Sequence, residues 1–220
     1  MLPHPQAPQQ PQRPQPVFID TTGLRPADPA AFGGAPDVLG AWVTPYGHTI
    51  SAHYYAAVPD LPASPDDIHL LRPAMAQRYA SSGCLIEADQ AVVDGVRAVR
   101  MVAKQPLPGG PGHGLLFGGV LVLPRDRCSA VLKIEAPEQG VTGMREATVA
   151  ARSGNPMGLF QDHPYQPGLR GALPFNEADS YEYDEEFPDH PLTVVRRVLA
   201  HLITTSAVDP QFRDLPAFGS

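Results

Sequence analysis

Four ionisable residues are spaced so that they could share one site. Glu138, Arg145 and Glu146 fall within Glu138-Gln-Gly-Val-Thr-Gly-Met-Arg-Glu-Ala147, and His113 stands in the glycine loop Gly109-Gly-Pro-Gly-His-Gly114. A carboxylate pair beside a guanidinium can polarise a substrate or tune a general acid. An imidazole on a glycine loop can be presented to solvent or ligand. The same residues have a plainer use: Thr142 starting a helix, and Arg145 pairing with a carboxylate to fasten a strand end to that helix. The plainer use is preferred, because such ion pairs are commonplace and no Ser or Cys nucleophile is linked to His113 by spacing. The turn Gly140-Val-Thr-Gly143 leads into a helix start where an anion could sit, but no phosphate-loop lysine or three-glycine fingerprint accompanies it.

A second group lies nearer the C-terminus. Asp162-His-Pro164 and Asp189-His-Pro191 repeat one tripeptide, with Glu177, Asp179, Glu182, Asp184, Glu185 and Glu186 between them. These acids lack the ligand order of a calcium loop, and the two histidines lack the close spacing of a helical zinc site, so neither a metal nor a cofactor is expected. A solvated acidic loop with two turn motifs is expected instead. Tyr181, Tyr183 and Phe187 are interleaved with the acids and are candidates for anchoring the segment to the domain or to a protein partner. Cys84 and Cys128 sit in apolar contexts without CxxC spacing and read as buried free thiols; their proximity to each other stays open.

These groups must be positioned by a chain of 220 residues with 43% hydrophobic and 18% charged side chains, 27 prolines and 20 glycines. That composition supports one compact domain with short elements and long connections. A net charge of -7 without a basic face argues against a nucleic-acid partner. Lys104 and Lys133 are the only lysines, and the arginine, alanine and proline usage suggests a GC-rich, actinobacterial genome. Residues 1–16 alternate proline with glutamine and read as an extended, disordered tail, serving as a spacer or a proline-recognition ligand. The tail has no apolar stretch of the signal-peptide kind and no later run reaches the length of a membrane span, so a cytoplasmic protein without membrane contact is expected.

Ordered structure should start near Val38–Val43, with a strand over Thr49–Ala57 closed by Pro59, Pro62 and Pro65. A helix falls between Asp66 and Ser82, with Leu71, Met75 and Tyr79 on one face and Gly83 as a left-handed stop. Pro73 either lies in the first turn of a shorter helix or kinks a longer one. Cys84–Val93 and Val96–Lys104 make a hairpin through Asp94-Gly95, and Leu115–Leu123 and Ala130–Ala136 are two further strands. Thr142 caps a helix to Arg152 in which Met144, Ala147 and Ala151 share a face. After an irregular segment, a helix over 191–204 buries Leu192, Val195, Leu199 and Leu202, starts at a signal from Asp189 and Pro191, and turns Arg196 and Arg197 to its polar side. The last hydrophobes, to Phe218, can pin the terminus to the body or to a neighbour.

The succession of a short helix, the hairpin at Val93-Asp-Gly-Val96, further strands and the Glu138-x-Gly-x-Thr-Gly-x-Arg-Glu146 transition resembles the PsbP-like α/β/α sandwich, which includes the Ran-binding Mog type. It is also similar to a group of actinobacterial proteins that add the Asn155-Pro … Phe-Pro-Asp-His-Pro191 extension. The resemblance covers a little under half the chain and implies an α+β fold: an antiparallel sheet flanked by helices, over 17–152, followed by an acidic extension over 153–220 with its final helix. It implies an accessory binding module, although the lipidated cysteine and the Ran-binding residues of those families have no counterpart here. The expected function is therefore a non-enzymatic binding or scaffolding protein with a protein partner. One alternative is a hydrolase-like enzyme using His113 with Glu138 or Glu146 and Arg145; another is a subunit of a larger assembly.

Overall fold

The computed structural model describes residues 14–29, 37–107, 114–153 and 159–219. Most of the Pro/Gln tail, His113 and the Asn155-Pro pair lie outside these residues. The elements, in chain order, are β1 (Val17–Phe18), β2 (Arg25–Pro26), β3 (Val38–Val43), β4 (Thr49–Tyr55), α1 (Ile68–Ala80), β5 (Cys84–Val93), β6 (Val96–Pro106), β7 (Leu115–Pro124), β8 (Ser129–Pro137), α2 (Met144–Ser153), α3 (Pro191–Thr205), β9 (Ala207–Val208) and α4 (Pro210–Arg213).

Apolar residues in β3 to β8 build one antiparallel sheet, which the exposed pair Arg25–Pro26 of β2 extends at one edge, in the order β2-β3-β4-β8-β7-β6-β5. The protein is thus an α+β fold with helices on both faces. Helix α1 buries Leu71, Met75 and Ala76 against Leu85, Ala88, Val99 and Met101 on one face. Helix α3 buries Leu192, Val195, Leu199 and Leu202 against Phe117, Leu121, Leu132 and Ile134 on the other. Each fully buried leucine in these layers contributes about 1.5–3 kcal/mol. Gly119 in β7 permits the close approach of α3: a β-carbon there would stand 2.7 Å from Val195 and 2.8 Å from Leu199.

The β5–β6 hairpin turns as its Asp-Gly pair demands, with φ of +44° at Asp94 and +81° at Gly95. Strand β5 is an edge, and side chains take up its outward polar groups: Arg72 Nε donates to the Ala88 carbonyl (2.8 Å), Ala88 N–H donates to the Tyr165 hydroxyl (3.1 Å), and His163 Nε2 donates to the Leu85 carbonyl (2.8 Å). This covering blunts edge-to-edge association. Strand β9 pairs with β1, so that the terminal segment closes over the N-terminal strand. Asp94 reinforces the closure by accepting from Val208 N–H at 2.8 Å and from Arg213. Of the last hydrophobes, Phe212 is buried against the body, whereas Leu215 is 40% exposed.

Several local expectations differ from the structure. For Pro73 one of the two expected placements holds: it lies inside the longer helix, which starts at Ile68 after the N-cap Asp67, and the shorter helix is not found. Gly83 is absent from the left-handed glycines; its role is close approach, because a β-carbon there would stand 2.1 Å from the Lys104 carbonyl. Helix α2 begins at Met144, and the Glu138 carboxylate, instead of the Thr142 hydroxyl, accepts the N–H of Gly143 (2.9 Å). Its buried face is the reverse of the one expected: Arg145 and Val149 are buried, whereas Met144, Ala147 and Ala151 are exposed. Helix α3 is capped by His190 in place of Asp189. Arg196 is buried because the side of α3 that looks polar on a helical wheel is covered by the acidic extension. Both cysteines are buried free thiols. Among the described residues, no helix is long and apolar enough to cross a membrane.

Candidate functional site

The end of β8, the start of α2 and the start of α3 meet in one charged corner. Glu138 follows β8 directly, and its backbone N–H donates to Leu115 O (2.8 Å). Its carboxylate is held from two sides: Oε2 accepts from Leu115 N–H (2.7 Å) and Oε1 from Gly143 N–H (2.9 Å). Glu146, in the first turn of α2, points its carboxyl into the same corner. Burial raises its pKa, and the neighbouring Glu138 charge adds to the rise. Its Oε2 is buried with no hydrogen-bond partner among the described residues.

His190 completes the corner. Its Nδ1 accepts from Leu192 N–H (3.2 Å), satisfying a donor that the helix cannot pair internally. Nε2 therefore carries the proton of the neutral ring, and this atom too is buried with no hydrogen-bond partner among the described residues. Burial, assisted by the Arg145 charge, lowers the His190 pKa to about 4, so the ring is neutral near pH 7. The Phe117 ring lies edge-on to it at 5.1 Å. One ligand-type atom from each of Glu138, Glu146 and His190 lies within 4.8 Å of the other two.

His163 shows what the repeated Asp-His-Pro tripeptide does. There too Nδ1 accepts from the N–H two residues on, Tyr165, at 3.2 Å. The difference lies at Nε2: His163 finds the Leu85 carbonyl, whereas His190, beside Glu138 and Glu146, finds no hydrogen-bond partner for Nε2 among the described residues. The motif is thus a turn whose second nitrogen is left for a tertiary partner.

Arg145 precedes Glu146 in sequence, and it is completely buried. Its guanidinium donates to Ala178 O (2.7 Å), Thr193 Oγ (2.9 Å), Ser180 O (2.7 Å) and Asp184 Oδ1 (2.9 Å). The planar fork suits this multiple anchoring of irregular chain. Phe187 packs over it, with its ring centre 5.9 Å from the guanidinium carbon. Arg196 shares Asp184 Oδ1 (2.6 Å) and reaches Asp179 O and Glu87 Oε1, both at 2.5 Å. A β-bulge between Leu85 and Glu87 turns Glu87 towards α3. Lys104 and Asp179 form a further pair at 2.6 Å, 2% and 1% exposed.

The acidic segment is therefore not a solvated loop. It folds into two 3-10 turns, Glu177–Asp179 and Tyr181–Tyr183, and Asp179 and Asp184 bind it to the sheet and helices. Of the aromatic candidates, Tyr183 donates to Glu177 Oε1 (2.7 Å), Phe187 covers Arg145, and Tyr181 is 73% exposed. Spacing did not disclose His190, Asp184 or Arg196, since their partners are remote in sequence. Lys104 did leave a signal: it shares a β6 face with Ala98 and Val102, both buried beneath α3.

Away from this corner, a cleft of about 470 Å³ opens where the C-terminal end of α1 meets residues 160–175. Phe160, Leu169, Leu173 and Phe175 give it apolar walls, and Gln161 and Arg170 contribute polar groups. Its size and mixed lining suit a small molecule or an inserted side chain.

No protein-family model matches the chain, and a comparison with curated proteins finds no match. Among solved structures, cyanobacterial PsbP (CyanoP) from Synechocystis, determined in solution, is similar over 68% of this chain and 94% of that one, at 13% identity and a TM-score of 0.32. A superposition this loose carries no argument about function, and the fold class rests on the sheet order and the two helical layers.

Proposed function

We propose that the chain is a non-catalytic binding or scaffolding protein whose charged corner holds the C-terminal extension in place and whose protein partner docks elsewhere. The supporting observation is the complete burial of Arg145, with four of its hydrogen bonds made to the protein's own groups. A guanidinium so engaged has no access to substrate, which removes one of the groups that the hydrolase-like alternative needs. The surfaces suited to a partner are the cleft beside α1, with Phe160 52% exposed, and Tyr181 on the extension. Aromatic residues beside a concave surface are common anchors of protein contacts.

Tagged wild-type chain, Phe160→Asp, Tyr181→Ala and Glu146→Gln, incubated with extract of the native host and compared by quantitative mass spectrometry, test this. One enriched protein should be shared by wild type and Glu146→Gln and depleted in at least one aromatic variant. Its direct binding should then be reproduced with the purified protein. Turnover of a small molecule that is abolished by Glu146→Gln in a folded protein would overturn the proposal.

A further inference from the structure

We propose that Glu138, Glu146 and His190 form a binding site for a divalent transition metal, of which Zn²⁺ is the best fit. The three side chains come from separate elements, after β8, in α2 and at the start of α3, and each offers a ligand atom within 4.8 Å of the other two. Around a tetrahedral zinc with ligands at about 2.0–2.2 Å, the ligand atoms would stand roughly 3.4 Å apart, so small rotamer changes suffice. Two carboxylate oxygens and one imidazole nitrogen suit zinc, whereas magnesium and calcium favour an all-oxygen shell.

Two further observations point to a bound ion. Glu146 Oε2 and His190 Nε2 are buried atoms with no hydrogen-bond partner among the described residues, and they belong to two of the three residues of the cluster. Buried polar atoms left in this way are uncommon in native proteins, and one cation would satisfy both while neutralising the adjacent carboxylates. Supporting contacts also fix the ligands: Leu115 and Gly143 N–H groups orient the Glu138 carboxylate, which keeps lone pairs for a metal.

The cap at His190 makes the proposal specific. Because Nδ1 accepts from Leu192 N–H, the metal-free neutral ring carries its proton on Nε2. Coordination through Nε2 shifts that proton to Nδ1 and gives up the Leu192 hydrogen bond, so zinc uptake must invert the tautomer of this one histidine. A water molecule could also fill the corner, accepting from Nε2–H and donating to the glutamates, but it would leave the tautomer unchanged.

The test is calorimetric titration of the full chain with Zn²⁺, and with Mg²⁺ and Ca²⁺ in parallel, alongside long-range ¹H–¹⁵N spectra of the histidine rings. Glu146→Gln and His190→Asn are the variants; asparagine keeps the capability to cap α3 without an imidazole, and metal-free melting curves report whether each variant is folded. The expected result is one zinc per wild-type chain, at least tenfold weaker binding in both variants, no comparable magnesium or calcium site, and conversion of His190 from the Nε2–H to the Nδ1–H form. Absence of saturable zinc binding overturns the proposal. So does equal affinity in wild type and folded variants, or zinc binding that leaves the His190 tautomer as it was.

Discussion

Replacing Arg145 by alanine should loosen the C-terminal extension before the sheet unfolds. The side chain is fully buried and its removal leaves the Ala178 and Ser180 carbonyls without their guanidinium donors. Asp184 retains Arg196, and the Thr193 hydroxyl still reaches Asp184 at 3.2 Å, so the loss is partial. Breaking one arm of a buried ion pair costs about 3–5 kcal/mol. At roughly 2–4 °C per kcal/mol for a chain of this size, the melting temperature should fall by about 6–20 °C. Urea unfolding followed by circular dichroism would measure the loss, and limited proteolysis should cut residues 177–190 earlier than in wild type. Arg145→Lys keeps the charge but not the fork and should recover less than half of the stability. A loss under about 1 kcal/mol for Arg145→Ala, with unchanged proteolysis, would refute the assignment of this residue as the anchor of the extension.

The Lys104–Asp179 pair should behave as a coupled unit: Lys104→Met and Asp179→Asn each destabilise by about 3–5 kcal/mol, and the double variant loses clearly less than their sum in a double-mutant cycle. Gly119→Ala should lose about 1–3 kcal/mol by overpacking against α3, whereas Gly118→Ala, whose β-carbon meets nothing within 4 Å, should be near neutral; thermal melts separate the two. His53, hydrogen-bonded to Ser51 at 2.8 Å, has its pKa lowered by burial and by Lys133 from 6.5 to about 4. Between those values the unfolded chain binds a proton that the folded chain does not. Its contribution to stability is therefore flat above about pH 6.5, declines by up to roughly 3 kcal/mol as pH falls to 4, and levels off below. Urea titrations from pH 7.5 to 4 should show a shallower decline in His53→Gln than in wild type, and identical slopes would contradict the buried placement of this ring.

Local chemistry was legible wherever neighbours in sequence are neighbours in space. The Asp94-Gly95 turn, the four long strands around it and the apolar stripe of α3 each follow from periodicity and turn type within a short stretch. Helix α2 failed that test. Its small apolar residues faced solvent because Arg145 on the other side gained four hydrogen bonds from chain 33 to 48 residues away. Arg196 failed for the same reason, since a helical wheel has no way to register that an acidic segment will cover its polar side. The corner of Glu138 and Glu146 was half visible, with the two glutamates found and His190 hidden inside what reads as a turn motif.

The amino-acid sequence alone determined the antiparallel strands, the helices that flank them and the acidic character of the extension, because hydrophobic period and turn chemistry act over a few residues. Tertiary structure alone decided which charges are buried together. Pairing Lys104 with Asp179 and both Arg145 and Arg196 with Asp184, and placing His190 beside two glutamates, brings together groups from separate elements. Electrostatic partners are chosen by distance and burial in three dimensions, and side-chain spacing along the chain carries neither.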